Sequence, residues 1–126
     1  MPLIHHELCF GCGRTNLFGL LLEAELVGPG SVVGRCFIKQ DHQGPERGIA
    51  HDGIVATALL EAMTFACGEG ARAQTLEVTL VDGAPVGAYL DIEAWTEPGE
   101  GPVKHAAASA TAAGVQVGHA AGTFRS

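Results

Sequence analysis

Hydrophobic and polar residues alternate in several runs near the two ends of the chain, and turn residues such as Pro29-Gly30 and Asp82-Gly83 separate these runs. A period of two is typical of β-strands that bury one face. The pattern therefore predicts six strands, over residues 20–27, 31–39, 75–81, 86–96, 103–113 and 115–124.

The middle of the chain has a different pattern, because residues 53–67 are almost wholly apolar and no Gly or Pro interrupts them after Gly53. This predicts one long helix, with Asp52 as its N-cap and Gly68 as its stop signal. Its few polar residues share one narrow face at helical spacing: Thr57, Glu61 and Thr64. The rest of the circumference is apolar, so we expect the helix to be buried nearly all round.

The order of two strands, one helix and four strands predicts a single α+β domain over residues 1–126, with an antiparallel sheet of about six strands curled around the helix. The open edges and faces of such a sheet favour self-association. We therefore expect a homodimer or homotetramer.

Composition narrows the possible functions. The chain has 47% hydrophobic residues, enough for a core, and seven Lys+Arg against 14 Asp+Glu give a net charge of −7, which argues against a nucleic-acid partner. No apolar run reaches the roughly 18 residues of a membrane-spanning helix, and the N-terminus lacks the features of a signal peptide. We therefore expect no membrane partner, a cytoplasmic location and four reduced cysteines.

Several short motifs, taken together and in order, carry a resemblance to a known family. They are the segment CFGCGRTNLFGL at residues 9–20, HQG at 42–44, GIAHDG at 48–53, LLEAM at 59–63, APVG at 84–87 and AAGTF at 120–124. This set resembles the PaaI-like branch of the hotdog-fold thioesterase superfamily, whose members commonly begin with C-x-x-C-G-x-x-N-P-x-G-L. Leu17 stands where that pattern has Pro.

The resemblance implies a hotdog fold, a sheet wrapped around one central helix, in a dimer or dimer of dimers. It implies hydrolysis of an acyl-CoA thioester, with a small to medium acyl group, at a site between subunits. It implies no metal and no organic cofactor.

The chain departs from the family pattern at the three positions that usually carry the chemistry. Asp52 replaces the first Gly of H-G-G, whose backbone N–H would polarise the thioester carbonyl. Leu60 stands where the family has an Asp or Glu, nine residues after His51. Ala73 falls at the usual Ser or Thr, although a shift of two residues would offer Thr75.

Two carboxylates are left as catalytic candidates. Glu61 is the only carboxylate inside the apolar helix, and burial would raise its pKa towards the range of a general base. The alternative is a structural Glu61, satisfied by Thr57, Thr64 or the backbone. Asp52 is suited to capping the helix and also lies beside the oxyanion donors, which would be its own N–H and that of Gly53.

The remaining candidates would bind substrate. We expect a pocket bounded by His51, Asp52, Gly53, Thr57, Glu61 and Thr64 and completed by the partner subunit. His42 and Arg47 lie in the preceding loop, where Arg47 could meet a CoA phosphate.

Cys9 and Cys12 have C-x-x-C spacing, but zinc sites commonly use two such pairs and a second pair is absent. We expect these cysteines to pack structurally rather than to bind a metal. Two other functions stay open: a non-catalytic acyl- or CoA-binding dimer, suggested by Leu60, and a hotdog hydratase or dehydratase that would use His51 with a carboxylate.

Overall fold

The structure is a computed structural model that describes residues 2–99 and 101–126. Its elements, in chain order, are β1 (Glu23–Gly28), β2 (Ser31–Phe37), a 3-10 turn (Gln40–His42), α1 (Asp52–Cys67), β3 (Arg72–Leu80), β4 (Tyr89–Glu97), β5 (Val103–Ala112) and β6 (Val115–Arg125). The strands form one antiparallel sheet in the order β1-β2-β4-β5-β6-β3, so β1 and β3 are its edges. The predicted architecture of six antiparallel strands and one long helix is confirmed.

The strand boundaries differ from the prediction by up to three residues: β3 begins at Arg72 rather than at residue 75, and β2 ends at Phe37 rather than at residue 39. The late starts of β1 and β4 have a cause in the backbone hydrogen bonds. β1 begins at Glu23 rather than at residue 20, because the N–H groups of Leu20 and Leu22 donate to the carbonyls of Phe10 and Gly11 instead of to a strand. β4 begins at Tyr89 rather than at residue 86, because residues 85–88 form a turn closed by the Ala88 N–H on the Pro85 carbonyl. In both cases a local backbone hydrogen bond replaces a ladder bond.

Small side chains let α1 lie close to the sheet. Ala58 and Ala62, one helical turn apart, are fully buried together with Leu59 and Met63. The sheet meets them with a run of buried alanines on alternate positions of β5: Ala106, Ala108, Ala110 and Ala112. Because alanine projects little, the helix axis approaches the strands closely and the larger Leu59 and Met63 fill the space that remains.

The opposite side of α1 is less covered than the sequence led us to expect. Ile54, Leu60 and Phe65 are only half-buried, because one sheet can contact only one side of a helix. The N-terminal residues 2–22 cover part of this side. None of the described helices is long and apolar enough to cross a bilayer.

The loop between β2 and α1 sets where the helix begins. The His51 N–H donates to the His42 carbonyl at 2.8 Å, and the Gly44 N–H donates to the Ile49 carbonyl at 3.0 Å. A Cβ at Gly44 would lie 2.7 Å from the Cα of His51, so only glycine allows the two backbone segments to come this close. The HQG motif therefore has a steric role, which is to fix the start of α1.

His42 is the buried polar residue that supports this loop, with 3% of its surface exposed. Its Nδ1 accepts the Lys39 N–H at 3.1 Å. Its Nε2 has no hydrogen-bond partner among the described residues. The nearby Gly19 backbone favours the protonated ring, but this is the smallest of the influences on the pKa of His42. Burial, and then the charge of Lys39, lower the pKa of His42 below its ordinary value.

We expect the core of this fold to tolerate little loss of volume at the helix–sheet contact. Leu59→Ala removes a fully buried side chain and should lower the free energy of unfolding by about 2–5 kcal/mol. Leu17→Ala makes the same chemical change at a side chain that is 69% exposed, and should cost no more than about 0.5 kcal/mol. Urea unfolding at one fixed protein concentration measures both, and equal costs would contradict the described core.

His42 should make the fold sensitive to acid. Its pKa is lower in the folded chain than in the unfolded chain, so the unfolded chain binds the proton more tightly. Its contribution to stability is therefore complete above the unfolded pKa of about 6.5 and is lost as the pH falls towards the lowered folded pKa. Urea unfolding between pH 7.5 and 5 should show a smaller fall for His42→Gln than for the wild type. A fall of the same size in both would assign the effect to another group.

Candidate active site and N-terminal cluster

The helix start is capped by His51 and not, as predicted, by Asp52. The Nδ1 atom of His51 accepts the Gly53 N–H at 2.9 Å, and its carbonyl accepts the Ile54 N–H at 2.9 Å. A capping side chain must precede the N–H it accepts by two or three residues, which places the cap one residue earlier than the acidic residue suggested. Because Nδ1 accepts, the neutral ring carries its proton on Nε2.

This cap decides which backbone N–H groups remain for a ligand. The Gly53 N–H, predicted as a possible second oxyanion donor, is already used by His51. The Asp52 N–H has no acceptor among the described residues, and Asp52 itself is exposed. The first turn of the helix therefore presents one free donor at its positive end, beside the Asp52 carboxylate.

The two threonines of the polar face are turned to their own helix. Thr57 Oγ1 donates to the Gly53 carbonyl at 2.7 Å, and Thr64 Oγ1 donates to the Leu60 carbonyl at 2.8 Å. Neither hydroxyl bonds to Glu61, so the structure does not show the predicted structural pairing of these residues. Each hydroxyl oxygen still has lone pairs that could accept from a ligand.

The loop candidates differ in accessibility. Arg47 is exposed and could reach a ligand phosphate, whereas His42 is buried and supports the loop from inside. The predicted contact between His42 and substrate stays a prediction, and burial leaves the ring little surface for it. His51 is exposed, but its Nδ1 is used in the cap, which leaves Nε2 as its outward polar atom.

Glu61 lies against the N-terminal segment, a placement that the sequence did not predict. Its Oε2 lies 3.0 Å from the Nδ1 of His5 and 3.3 Å from the Sγ of Cys9, and 12% of its side chain is exposed. Cys12 also packs here, and one ligand atom from each residue lies within 4.8 Å of the others. We call His5, Cys9, Cys12 and Glu61 the N-terminal cluster.

Burial and the adjacent Glu61 raise the pKa of the Cys12 thiol strongly above its ordinary value. The other buried cysteines, Cys36 and Cys67, lie outside the N-terminal cluster, and all four cysteines of the described chain are free thiols. Burial raises the pKa of Cys36 to about 12. Cys9 and Cys12 thus lie beside the carboxylate of Glu61, whereas Cys36 and Cys67 lie in the hydrophobic core.

The start of α1 and the N-terminal cluster are separate places. Asp52 and Glu61 are nine residues apart, a rise of about 13 Å along the helix axis. A cavity of about 800 Å³ lies at yet another place, at the C-terminal end of α1, with Phe65, Lys104 and His105 among its lining residues. His51, Asp52 and Gly53 are not among the residues that line that cavity.

Comparison with known sequences gives no match, either to a protein-family model or to a curated protein.

Solved structures, in contrast, match over most of the chain. The PaaI protein of E. coli from the phenylacetic acid degradation operon has a TM-score of 0.78 at 14% identity, covering 84% of this chain and 79% of its own. The zebra fish thioesterase superfamily member 2 has a TM-score of 0.74 at 22% identity, covering 82% and 80%. The TT0310 protein of Thermus thermophilus has a TM-score of 0.76 at 20% identity, covering 82% and 90%.

Structural similarity at such low sequence identity establishes the fold alone, and the activity has to be argued from the site. The topology, the long helix and these neighbours agree with one another. The chain therefore has the hotdog fold, which it shares with these solved structures.

Proposed function

We propose that this protein hydrolyses an acyl-CoA thioester with a small to medium acyl group at the start of α1. The observation that carries the proposal is the free Asp52 N–H at an exposed helix start, held in place by the His51 cap and the loop around Gly44. A preorganised N–H at the positive end of a helix stabilises the oxyanion that forms when water attacks a thioester carbonyl.

The water-activating group is the Asp52 carboxylate. It is exposed and belongs to the same residue as the donor, whereas Glu61 Oε2 is engaged with His5 and Cys9. Glu61 is the base that the sequence favoured, but it lies about 13 Å along the helix axis from the free N–H of Asp52 and faces His5 and Cys9. Asp52 takes a proton from the attacking water, the C–S bond of the tetrahedral intermediate breaks, and Asp52 returns the proton to the departing sulfur. The products are the carboxylic acid and the free thiol of CoA.

The partner subunit completes this site. β3 is a sheet edge, and Leu76 and Leu80 are 40% and 44% exposed although they share a face with Val78, which packs on the core. The half-buried Ile54 and Leu60 of α1 add apolar surface on the side that the sheet leaves open. A second copy that pairs along β3 would cover these side chains and would form the outer wall of the substrate site.

Arg47 binds the nucleotide end of CoA. Its guanidinium is exposed in the loop before α1, and in a chain of net charge −7 it is one of few groups that can neutralise a phosphate.

A non-catalytic acyl- or CoA-binding dimer is the second candidate. It is favoured by Leu60, an apolar residue at the place of the carboxylate expected from the resemblance, and by the engagement of Glu61. The two functions are separated by turnover, because a binding protein retains the thioester that an enzyme cleaves.

Carboxylate variants test the proposed base. With a free-thiol assay across acyl-CoAs of increasing chain length, Asp52→Asn should lower kcat/KM by about 10²–10⁴-fold, the usual contribution of a general base. Glu61→Gln should change it by less than about tenfold. Asp91→Asn is the matched control and should behave as wild type, because Asp91 is a half-exposed carboxylate of β4 that pairs with Arg35 of β2.

Three results would count against this assignment. A large loss in Glu61→Gln with full activity in Asp52→Asn would restore Glu61 as the base. Tight acyl-CoA binding without turnover by the wild type would favour the binding dimer. Turnover of enoyl-CoA without thiol release would favour a hydratase.

Matched substitutions at the two sheet edges test the assembly. Light scattering should show a dimer or tetramer for the wild type, and Leu76→Arg on β3 should shift it towards monomer, because the arginine would be buried in the proposed interface. Leu26→Arg makes the same change at an exposed leucine of the other edge strand, β1, and should keep the wild-type mass. A monomeric wild type, or equal effects of both changes, would contradict pairing along β3.

A further inference from the structure

The N-terminal cluster brings together four side chains from two distant parts of the chain. Three come from residues 5–12, and Glu61 comes from the third turn of α1. We infer that the cluster binds one Zn²⁺ ion through His5 Nδ1, Cys9 Sγ, Cys12 Sγ and Glu61 Oε2. The proposed function makes no use of this site.

The distances between the four atoms match a tetrahedral zinc site. Zinc bonds of about 2.3 Å to sulfur and about 2.0 Å to nitrogen or oxygen place a sulfur about 3.5 Å from a nitrogen or oxygen ligand at tetrahedral angles. His5 Nδ1 lies 3.7 Å from Cys9 Sγ and 3.6 Å from Cys12 Sγ, and Cys9 Sγ lies 3.3 Å from Glu61 Oε2. The shortest edge, 3.0 Å between His5 and Glu61, needs only a small widening.

The backbone around the cluster is shaped to hold these atoms. The His5 N–H donates to Cys12 Sγ at 3.2 Å, and the Gly13 N–H donates to the Cys9 carbonyl at 2.8 Å, which closes the turn between the two cysteines. A Cβ at Gly11 would lie 2.3 Å from the Glu61 carboxyl carbon, so a larger residue at this position would push the Glu61 carboxylate out of the cluster.

The ring of His5 is also fixed from one side. It stacks on the ring of Phe65, with centroids 4.2 Å apart and planes 10° from parallel. Phe65 is one helical turn beyond Glu61, so the same face of α1 supplies both the carboxylate and the surface that orients the imidazole. An oriented imidazole loses less freedom on binding a metal than a mobile one.

The donor set selects zinc by chemical class. Two thiolates suit a borderline-soft ion, and an imidazole with a carboxylate completes four-coordination without an open position. A closed site of this kind is structural, so the ion would join residues 2–22 to α1. Glu61 as a zinc ligand is then unavailable as a base.

Metal titration of the full chain tests the site. Reduced wild-type protein freed of metal with a chelator should bind one Co²⁺ per chain with the absorption bands of tetrahedral thiolate cobalt, and Zn²⁺ should displace it. Zn²⁺ should also raise Tm by about 5 °C or more, because it binds the folded chain. These measurements need no variant, so a folding defect cannot obscure them.

Variants assign the ligands. Cys9→Ser and Glu61→Gln should each weaken Zn²⁺ binding by about 100-fold or more in a competition assay with a chromophoric chelator. Cys36→Ser is the matched control, because Cys36 is a buried thiol on β2 outside the cluster, and it should keep full affinity. Circular dichroism checks that each variant is folded.

The inference would be overturned by reduced wild-type protein that binds no stoichiometric Co²⁺ or Zn²⁺. It would also be overturned by equal affinity in the wild type and a Cys9→Ser/Cys12→Ser double variant. Thioesterase activity is measured separately, so loss of zinc binding and loss of turnover remain distinguishable.

Discussion

The coverage of one apolar helix governs the rest of this structure. α1 has hydrophobic residues on nearly every side, but a sheet in one layer can contact only the side that carries Ala58, Leu59, Ala62 and Met63. Burying apolar surface is the main favourable contribution to folding, so the remaining sides of the helix call for other partners. The N-terminal residues 2–22 cover one part, and a second copy is proposed to cover another. Both proposed sites lie on the sides of α1 that the sheet leaves open.

The separation of two sites along one helix follows from helical rise. Nine residues place Glu61 about 13 Å beyond Asp52, too far for both carboxylates of one chain to act on one water. The helix start has a free N–H and an exposed carboxylate, which suits chemistry on a carbonyl. More than two turns further along α1, the carboxylate of Glu61 faces two cysteines and a histidine, which is an arrangement suited to a metal ion. Under the two proposals, one helix would serve two kinds of chemistry without sharing a residue.

Two glycines show how backbone contact builds these places. Gly44 lets the loop pass close to the Cα of His51, and Gly11 lets the cysteine turn pass close to the carboxylate of Glu61. A Cβ at Gly44 would overlap the backbone of His51, and a Cβ at Gly11 would displace the end of the Glu61 side chain. The steric need for glycine thus explains part of the HQG motif and part of the CFGCG segment, and neither glycine contacts a substrate to fulfil it.

The amino-acid sequence alone determined the class and order of the elements, because two-residue and helical periodicities are local signals. It also located the helix end at Gly68, which caps α1 through its N–H on the Phe65 carbonyl. Sequence reasoning missed the cap itself, since Asp52 and His51 can both accept a hydrogen bond and only the loop geometry selects His51 Nδ1. It also missed the proximity of Cys9 and Cys12 to Glu61. Motif spacing covers residues that are a few positions apart, whereas Glu61 is about 50 residues further along the chain. Tertiary structure decided these points, since packing of residues 2–22 on α1 brings together side chains about 50 residues apart.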